Sequence, residues 1–300
     1  MGCCPSAPRL DSTRCAGNGD DAPVTSIDSP RNPRLRGAIA LRERHERDTT
    51  GLTLVDGARE CHRAIEAGVH VETGYVCRSL LRPGDGPAAI ALLRERHAEM
   101  VELSERAFER LAFGDRADGL VLVVRQPATD LASLAIDSPT PLLIVTEDVE
   151  KPGNLGAILR TADASGCDAV IAIGGTDLFN PNVIRASTGT VFSTPLASAP
   201  ANEVMDWLRE HGIVPLAARV DAPDLYTTVD LSGPTALVLG SEADGLSPVW
   251  QEGGVQGVRL PMRGRADSLN VSVTAAILAF EARRQRDARR SKAPPAGGGQ

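Results

Sequence analysis

Lysine is almost missing from this 300-residue chain: only Lys151 and Lys292 occur, and neither follows a glycine. That excludes a phosphate-binding loop of the Gly-Lys-Ser/Thr type. Aromatic residues number nine, too few for the base-stacking sheet of single-strand binding modules. No apolar run approaches the roughly 20 residues needed to cross a bilayer. No basic-then-apolar segment opens the chain either, so the expected location is the cytoplasm, without a membrane. The six cysteines (Cys3, Cys4, Cys15, Cys61, Cys77 and Cys167) include no CxxC pair, and the five histidines are not at ligand spacing. No metal site is expected, and a reducing compartment disfavours disulfides. Dinucleotide-binding and serine-hydrolase signatures (GxGxxG after a strand, GxSxG) are absent as well.

What is present fits a globular chain of about two domains, with 42% apolar and 24% charged residues. The net charge of −7 is unevenly spread. Residues 131–258 carry 16 acidic against 5 basic side chains, whereas residues 31–47 carry 6 arginines against 2 glutamates. Residues 259–292 are also basic, with 9 Lys/Arg against 3 Asp/Glu. A phosphate backbone senses charge locally, across a Debye length of about 8–10 Å, so basic ends on an acidic chain are compatible with nucleic acid.

Residues 1–24 lack periodicity and read as a disordered leader. Met1-Gly2-Cys3-Cys4-Pro5-Ser6 formally fits a myristoylation pattern, which we expect to be coincidence; translation starting near Val24 would account for the whole leader. A first α/β unit is expected over 25–128. It begins with one basic helix from Asn32-Pro33 to about Arg47, carrying Arg31, Arg34, Arg36, Arg42, Arg44 and Arg47 on or beside it. Strands near 51–55, 69–77 and 119–125 and helices near 58–67, 88–99 and 105–112 follow. After a linker at 129–139, a second unit over 140–287 alternates strands (near 141–146, 169–173, 213–218, 235–239 and 257–260) with helices. That pattern predicts a mostly parallel sheet covered on both faces, with ligands outside the carboxyl ends of the strands. Residues 288–300 read as a disordered tail.

Three segments at strand-to-loop junctions carry the chemistry. In the first, Glu147–Asp163, Leu155, Ile158, Leu159 and Ala162 form an apolar helix face with Asn154 at or near the cap. Gly156 lies four residues before Arg160, leaving room beside its guanidinium; alone, the segment reads first as a solvated arginine on an amphipathic helix. The second, Ala236–Ser247, runs an apolar strand into a turn bracketed by Gly240 and Gly245, allowing backbone to approach and read a ligand. In the third, Leu260–Glu281, Ser268 or Asn270 caps a helix with Val273, Ala276, Ile277 and Phe280 as its apolar stripe. Its other positions are small, and Met262, Arg263 and Arg265 form a loop able to face a ligand and a phosphate chain.

In order and spacing, Asn154-Leu-Gly-Ala-Ile-Leu-Arg160, Leu239-Gly-Ser-Glu-Ala-Asp-Gly245 and Leu260-Pro-Met262 with Ser268-Leu-Asn-Val271 resemble the SpoU/TrmH family of trefoil-knot (SPOUT-class) RNA ribose methyltransferases. The stretch Asn182–Gly189, with Arg185, matches too, and Ser29–Arg34 and Leu54-Val-Asp-Gly57 resemble, more loosely, the family's substrate-binding domain. The resemblance implies an α/β fold with a knotted, mostly parallel sheet preceded by a smaller RNA-binding domain. It implies that S-adenosylmethionine is gripped by backbone around Leu239, Gly240, Leu260, Met262 and Leu269, with Asn154, Glu242, Ser268 and Asn270 supporting the site. Arg160 would be its key residue. A guanidinium with a pKa above about 12 is a poor base, so holding a phosphate and stabilising developing charge is the preferred role. Arg31, Arg34, Arg36, Arg42, Arg185, Arg263 and Arg265 are the expected contacts to structured RNA, and a homodimer is implied. Large-subunit ribosomal RNA is favoured, transfer RNA or a non-catalytic RNA-binding paralogue being the alternatives; a base-methylating relative is disfavoured by Asn154 and Arg160 together.

Overall fold

A computed structural model describes residues 25–113, 118–241, 244–251 and 254–292. The expected leader and residues 293–300 of the expected tail lie outside them. The first sheet is built from β1 (Thr25–Ile27), β2 (Leu52–Asp56), β3 (Val71–Val76), β4 (Met100–Leu103) and β5 (Leu120–Arg125) in the order β1-β4-β3-β5-β2. Its strands β1, β4 and β3 are parallel, and β5 runs antiparallel to both its neighbours. Around it pack α1 (Pro33–Ala40), α2 (Arg44–Thr50), α3 (Ala58–Glu66), α4 (Asp85–Glu95) and α5 (Glu105–Leu111).

The second sheet contains β6 (Leu142–Glu147), β7 (Ala169–Ile173), β8 (Leu196–Ser198), β9 (Val214–Ala218), β10 (Asp224–Leu225), β11 (Thr235–Leu239) and β12 (Gln256–Arg259). Their order is β10-β12-β9-β11-β6-β7-β8, and every pairing is parallel. Helices α6 (Pro152–Ser165), α7 (Pro181–Ala186), α8 (Ala201–Glu210) and α9 (Val271–Lys292) cover it. The central strands β6 and β11 are buried along their length, as their unbroken apolar runs require of a sheet covered on both faces.

Several expectations are corrected. Strands β1, β4, β8 and β10 had not been anticipated; with two to four residues each, they are too short for a period to emerge. The single helix expected up to Arg47 is broken between Ala40 and Arg44. Arg47 explains the break: its guanidinium, 1% exposed, donates to the carbonyls of Leu41 and Arg42 at 2.9 and 2.7 Å and pairs with Asp177 at 2.8 Å. A buried fork of donors thus satisfies the carbonyls that the interrupted helix leaves free. Residues 288–292 continue α9 rather than beginning a disordered tail. On α9 the buried apolar residues are Val271, Ala275, Leu278, Ala279 and Ala282, while Val273 and Phe280 of the expected apolar stripe stand 45% and 51% exposed. The helix is apolar on two faces, and the face rich in small residues packs inward because it lets α6 come close.

The two sheets share one core. Val55, Leu122 and Val124 belong to the same buried cluster as Leu178, Phe179 and Ile184. Polar bonds reinforce the junction: Thr53 Oγ1 donates to the Phe179 carbonyl at 2.7 Å, and Arg63 Nη1 donates to the Thr188 carbonyl and Oγ1 at 2.8 and 3.0 Å.

Candidate active site

A cavity of about 340 Å³ opens at the carboxyl ends of β9, β11 and β12. It gathers all five residues expected to hold a cofactor: Leu239, Gly240, Leu260, Met262 and Leu269, with Ser268 beside them. Leucine and valine side chains supply an apolar floor, and loop backbone supplies polar groups, the combination that suits a flat heteroaromatic ring with a polar edge. Sequence reading missed the segment Ala218–Asp221, which also lines the cavity. The signal was available, since β9 ends on the same side of the sheet as β11.

Gly240 serves this cavity indirectly. A Cβ there would meet the Gly245 carbonyl carbon and oxygen at 2.3 Å and the Leu246 nitrogen at 2.7 Å, so the glycine lets the loop fold back on itself. Beyond that turn, the buried Glu147 at the end of β6 accepts from the Ser247 amide at 2.8 Å and its hydroxyl at 2.7 Å, pinning the loop to the sheet. Glu242 lies outside the described residues.

A hydrogen bond ties the third segment to the first: Asn270 Nδ2 donates to Asn154 Oδ1 at 3.1 Å. Asn270, not Ser268, caps α9, its Oδ1 accepting from the Ser272 amide at 2.9 Å. Asn154 is not the cap of α6, which begins at Pro152 after Lys151; it sits in the first turn. At the other end of α6, Arg283 of α9 donates to the Ser165 and Gly166 carbonyls at 2.7 and 2.6 Å. The two helices therefore lie side by side in the same direction, tied at both ends. Gly156 does not make room for Arg160. Its added Cβ would lie 2.4 Å from Ala186 Cβ and 2.8 Å from the Ser187 nitrogen, so the glycine admits α7 against α6.

Arg160 is exposed and does not line the cofactor-sized cavity. It lines a second cleft of about 600 Å³ between the two sheets, together with Asp56, Glu60 and Asp118 from the first unit and Asn182 and Arg185 from the second. Arg185 Nη1 donates to the Phe113 carbonyl at 2.9 Å and lies 3.4 Å from Asp56 Oδ2. Of the other expected RNA contacts, Arg42 is engaged by the fold: Nη2 donates to the carbonyls of residues 110, 111 and 112 at 3.0, 2.9 and 3.0 Å. Its charge neutralises the end of α5 instead of facing solvent. Arg34 is exposed but paired with Glu99. Arg31, Arg36, Arg263 and Arg265 are exposed, with no ion pair among the described residues.

Burial pushes the Asp56 carboxyl up from its ordinary 3.8 to about 6, against the opposing Phe113 amide and Arg185. The folded state binds this proton more tightly than the unfolded one, so the fold should lose stability as pH rises from about 4 through about 6. Asp56→Asn removes the ionisation. Urea unfolding across pH 4–8 should show the variant gaining on the wild type by up to roughly 3 kcal/mol over that window. A difference that does not change with pH would refute the assignment.

Among the described residues no three His, Cys, Asp or Glu side chains are placed to hold a metal, and no helix is long and apolar enough to cross a membrane. An all-parallel sheet with a glycine-bounded cavity at its carboxyl edge, joined to a smaller α/β unit across a charged cleft, defines a two-unit α/β protein with room for a small ligand. Residues 141–280 match the SpoU rRNA Methylase family, and residues 32–122 match the MRM3-like substrate binding domain. A Streptomyces viridochromogenes 23S rRNA (uridine(2479)-2′-O)-methyltransferase is 32% identical over 92% of this chain and 98% of its own. A Bacillus subtilis 23S rRNA (guanosine(2553)-2′-O)-methyltransferase, RlmP, is 28% identical over 87% of this chain and 100% of its own. The crystal structure of the SpoU methyltransferase AviRb from Streptomyces viridochromogenes in complex with AdoMet superposes with a TM-score of 0.77 at 32% identity, covering 86% of this chain and 99% of that one. The chain belongs to the SpoU rRNA methylase family of RNA ribose 2′-O-methyltransferases.

Proposed function

We propose that this protein methylates a ribose 2′-hydroxyl of large-subunit ribosomal RNA, using S-adenosylmethionine in the 340 Å³ cavity without a metal, as a cytoplasmic homodimer. The observation that carries the reading is the meeting of all three motif segments. The second and third share that cavity, and Asn270–Asn154 ties them to the helix bearing Arg160. The cavity's residues fit such a co-substrate: an apolar floor for the adenine, loop backbone for its edge, and acidic Asp221 and Asp244 at the wall, where Asp221 also pairs with Arg219. S-adenosylmethionine supplies an electrophilic methyl group when bound.

The chain's own task is to present the hydroxyl in line and to manage the charge that develops as its proton leaves. Arg160, exposed on the interdomain cleft, holds the phosphate beside the target ribose and lowers the energy of the forming oxyanion; phosphate oxygen or water takes the proton. Asn154 and Asn270 hold α6 and α9 in register, which fixes where Arg160 stands relative to the cavity. Arg31, Arg36, Arg263 and Arg265 supply further phosphate contacts. The knot implied by the sequence resemblance belongs to this reading.

The outward apolar face of α9, with Val273 and Phe280, is assigned to a second copy of the chain. Phe280→Glu should convert a dimer to a monomer in light scattering at micromolar concentration; a wild type that is monomeric there would remove the assignment. The function is tested with radiolabelled S-adenosylmethionine and in vitro transcripts of large-subunit ribosomal and transfer RNA. Label should appear as a 2′-O-methylnucleoside in the ribosomal transcript. Label on a base, or only on transfer RNA, would redirect the proposal.

A further inference from the structure

The cleft shared by the two units is lined by a residue with an acceptor that no described residue uses. Asp56 closes β2 and is 2% exposed. One carboxylate oxygen, Oδ2, accepts the Phe113 amide at 2.9 Å and has Arg185 at 3.4 Å, whereas Oδ1 is buried and has no hydrogen-bond partner among the described residues. A buried oxygen of this kind is costly to the fold, and native proteins keep few of them without a purpose. Asp56 lines a cleft that also presents Glu60 and Asp118, the small side chain of Ala186 and, on the same wall system, Arg160. With about 600 Å³ of space, the cleft is within the size range of small-ligand sites.

We infer that this cleft receives the base of the target nucleotide, and that the Asp56 carboxylate selects guanine by accepting hydrogen bonds from its Watson–Crick edge. The inference rests on the ribose-methylation reading above. A ribose brought to Arg160 carries its base with it, and enzymes that extrude a nucleotide read its base through that edge. An ionised carboxylate only accepts. Guanine is the base whose edge offers two adjacent donors, the ring N1–H and the exocyclic amino group. Adenine and cytosine set a ring acceptor beside their amino group, and uracil flanks its one N–H with two carbonyls that a carboxylate repels. Glu60 and Asp118 reinforce the preference for a donor-rich edge, while Arg160 remains for phosphate. The ionisation of Asp56, opposed by burial in the free protein, is then compensated in the complex by two donors.

The full-length protein is given S-adenosylmethionine and an in vitro transcript of large-subunit ribosomal RNA, and the methylated nucleotide is mapped. It should be a guanosine. A spliced transcript with inosine at that position, which lacks only the amino group, should be methylated with kcat/KM lowered about tenfold or more. Asp56→Asn should lower kcat/KM on the guanosine transcript, bring the guanosine-to-inosine ratio towards one and leave the Kd for S-adenosylmethionine unchanged; a purely structural effect would not alter that ratio. Methylation of a uridine, adenosine or cytidine, or equal use of guanosine and inosine by the wild type, would overturn the guanine assignment while leaving ribose methylation standing. Absence of any transfer by the wild type would overturn both. The inosine comparison uses wild-type protein, so it decides the matter even if the variant does not fold.

Discussion

Arg160→Ala is expected to lower methyl transfer by about two to three orders of magnitude while leaving S-adenosylmethionine affinity unchanged. The size follows from removing one preorganised charge aimed at a developing oxyanion. The separation of effects follows from geometry, because Arg160 lines the interdomain cleft and not the cofactor-sized cavity. Single-turnover rates and calorimetric titration of the same preparation measure both. Arg160→Lys then distinguishes the role. A fixed charge predicts partial activity that falls once the ammonium deprotonates, near pH 10 in water, whereas a base predicts activity rising through that range. Full turnover in the alanine variant would make Arg160 an ordinary solvated arginine on α6.

Gly240→Val is expected to weaken S-adenosylmethionine binding by about 10–100-fold. The substituted Cβ would collide with the backbone of Gly245 and Leu246, which cannot rotate away as a side chain could, so the loop lining the cavity must move. Overpacking of this kind costs about 1–3 kcal/mol, and each 1.4 kcal/mol is tenfold in affinity. Gly153→Ala is the matched control: its Cβ would meet nothing within 4 Å, and affinity should not change. Equal affinities for wild type and the valine variant, measured by titration calorimetry, would remove the cavity from the cofactor assignment.

The long elements were legible in the sequence because their signals are local. Strand β6 is an unbroken apolar run, and the α6 face of Leu155, Ile158, Leu159 and Ala162 repeats at helical spacing; all are buried as expected. The residues that the family resemblance implied for the cofactor converge on one cavity: Leu239 ends a strand, Gly240 and Leu260 open the following loops, a parallel sheet brings those ends to one edge, and Leu269 arrives from the loop before α9. Tertiary structure alone decided what the polar and small residues do. Arg42 and Arg47 sit in a basic stretch like Arg31 and Arg36, yet their guanidiniums are spent on carbonyls that only the folded chain brings within reach. Gly156 read as room beside Arg160 but is room for α7, and Gly240, which lines the cavity, also lets its own loop fold back on itself, because close approach is a property of two segments and not of one. On α9 two apolar faces competed, and the smaller side chains went inward because α6 lies alongside. Asp56 ends a strand like many aspartates; its buried, half-satisfied carboxylate exists only where residues about 130 positions away close over it. Periodicity along one chain fixes elements, whereas charge, burial and vacancy depend on distant neighbours that no local pattern encodes.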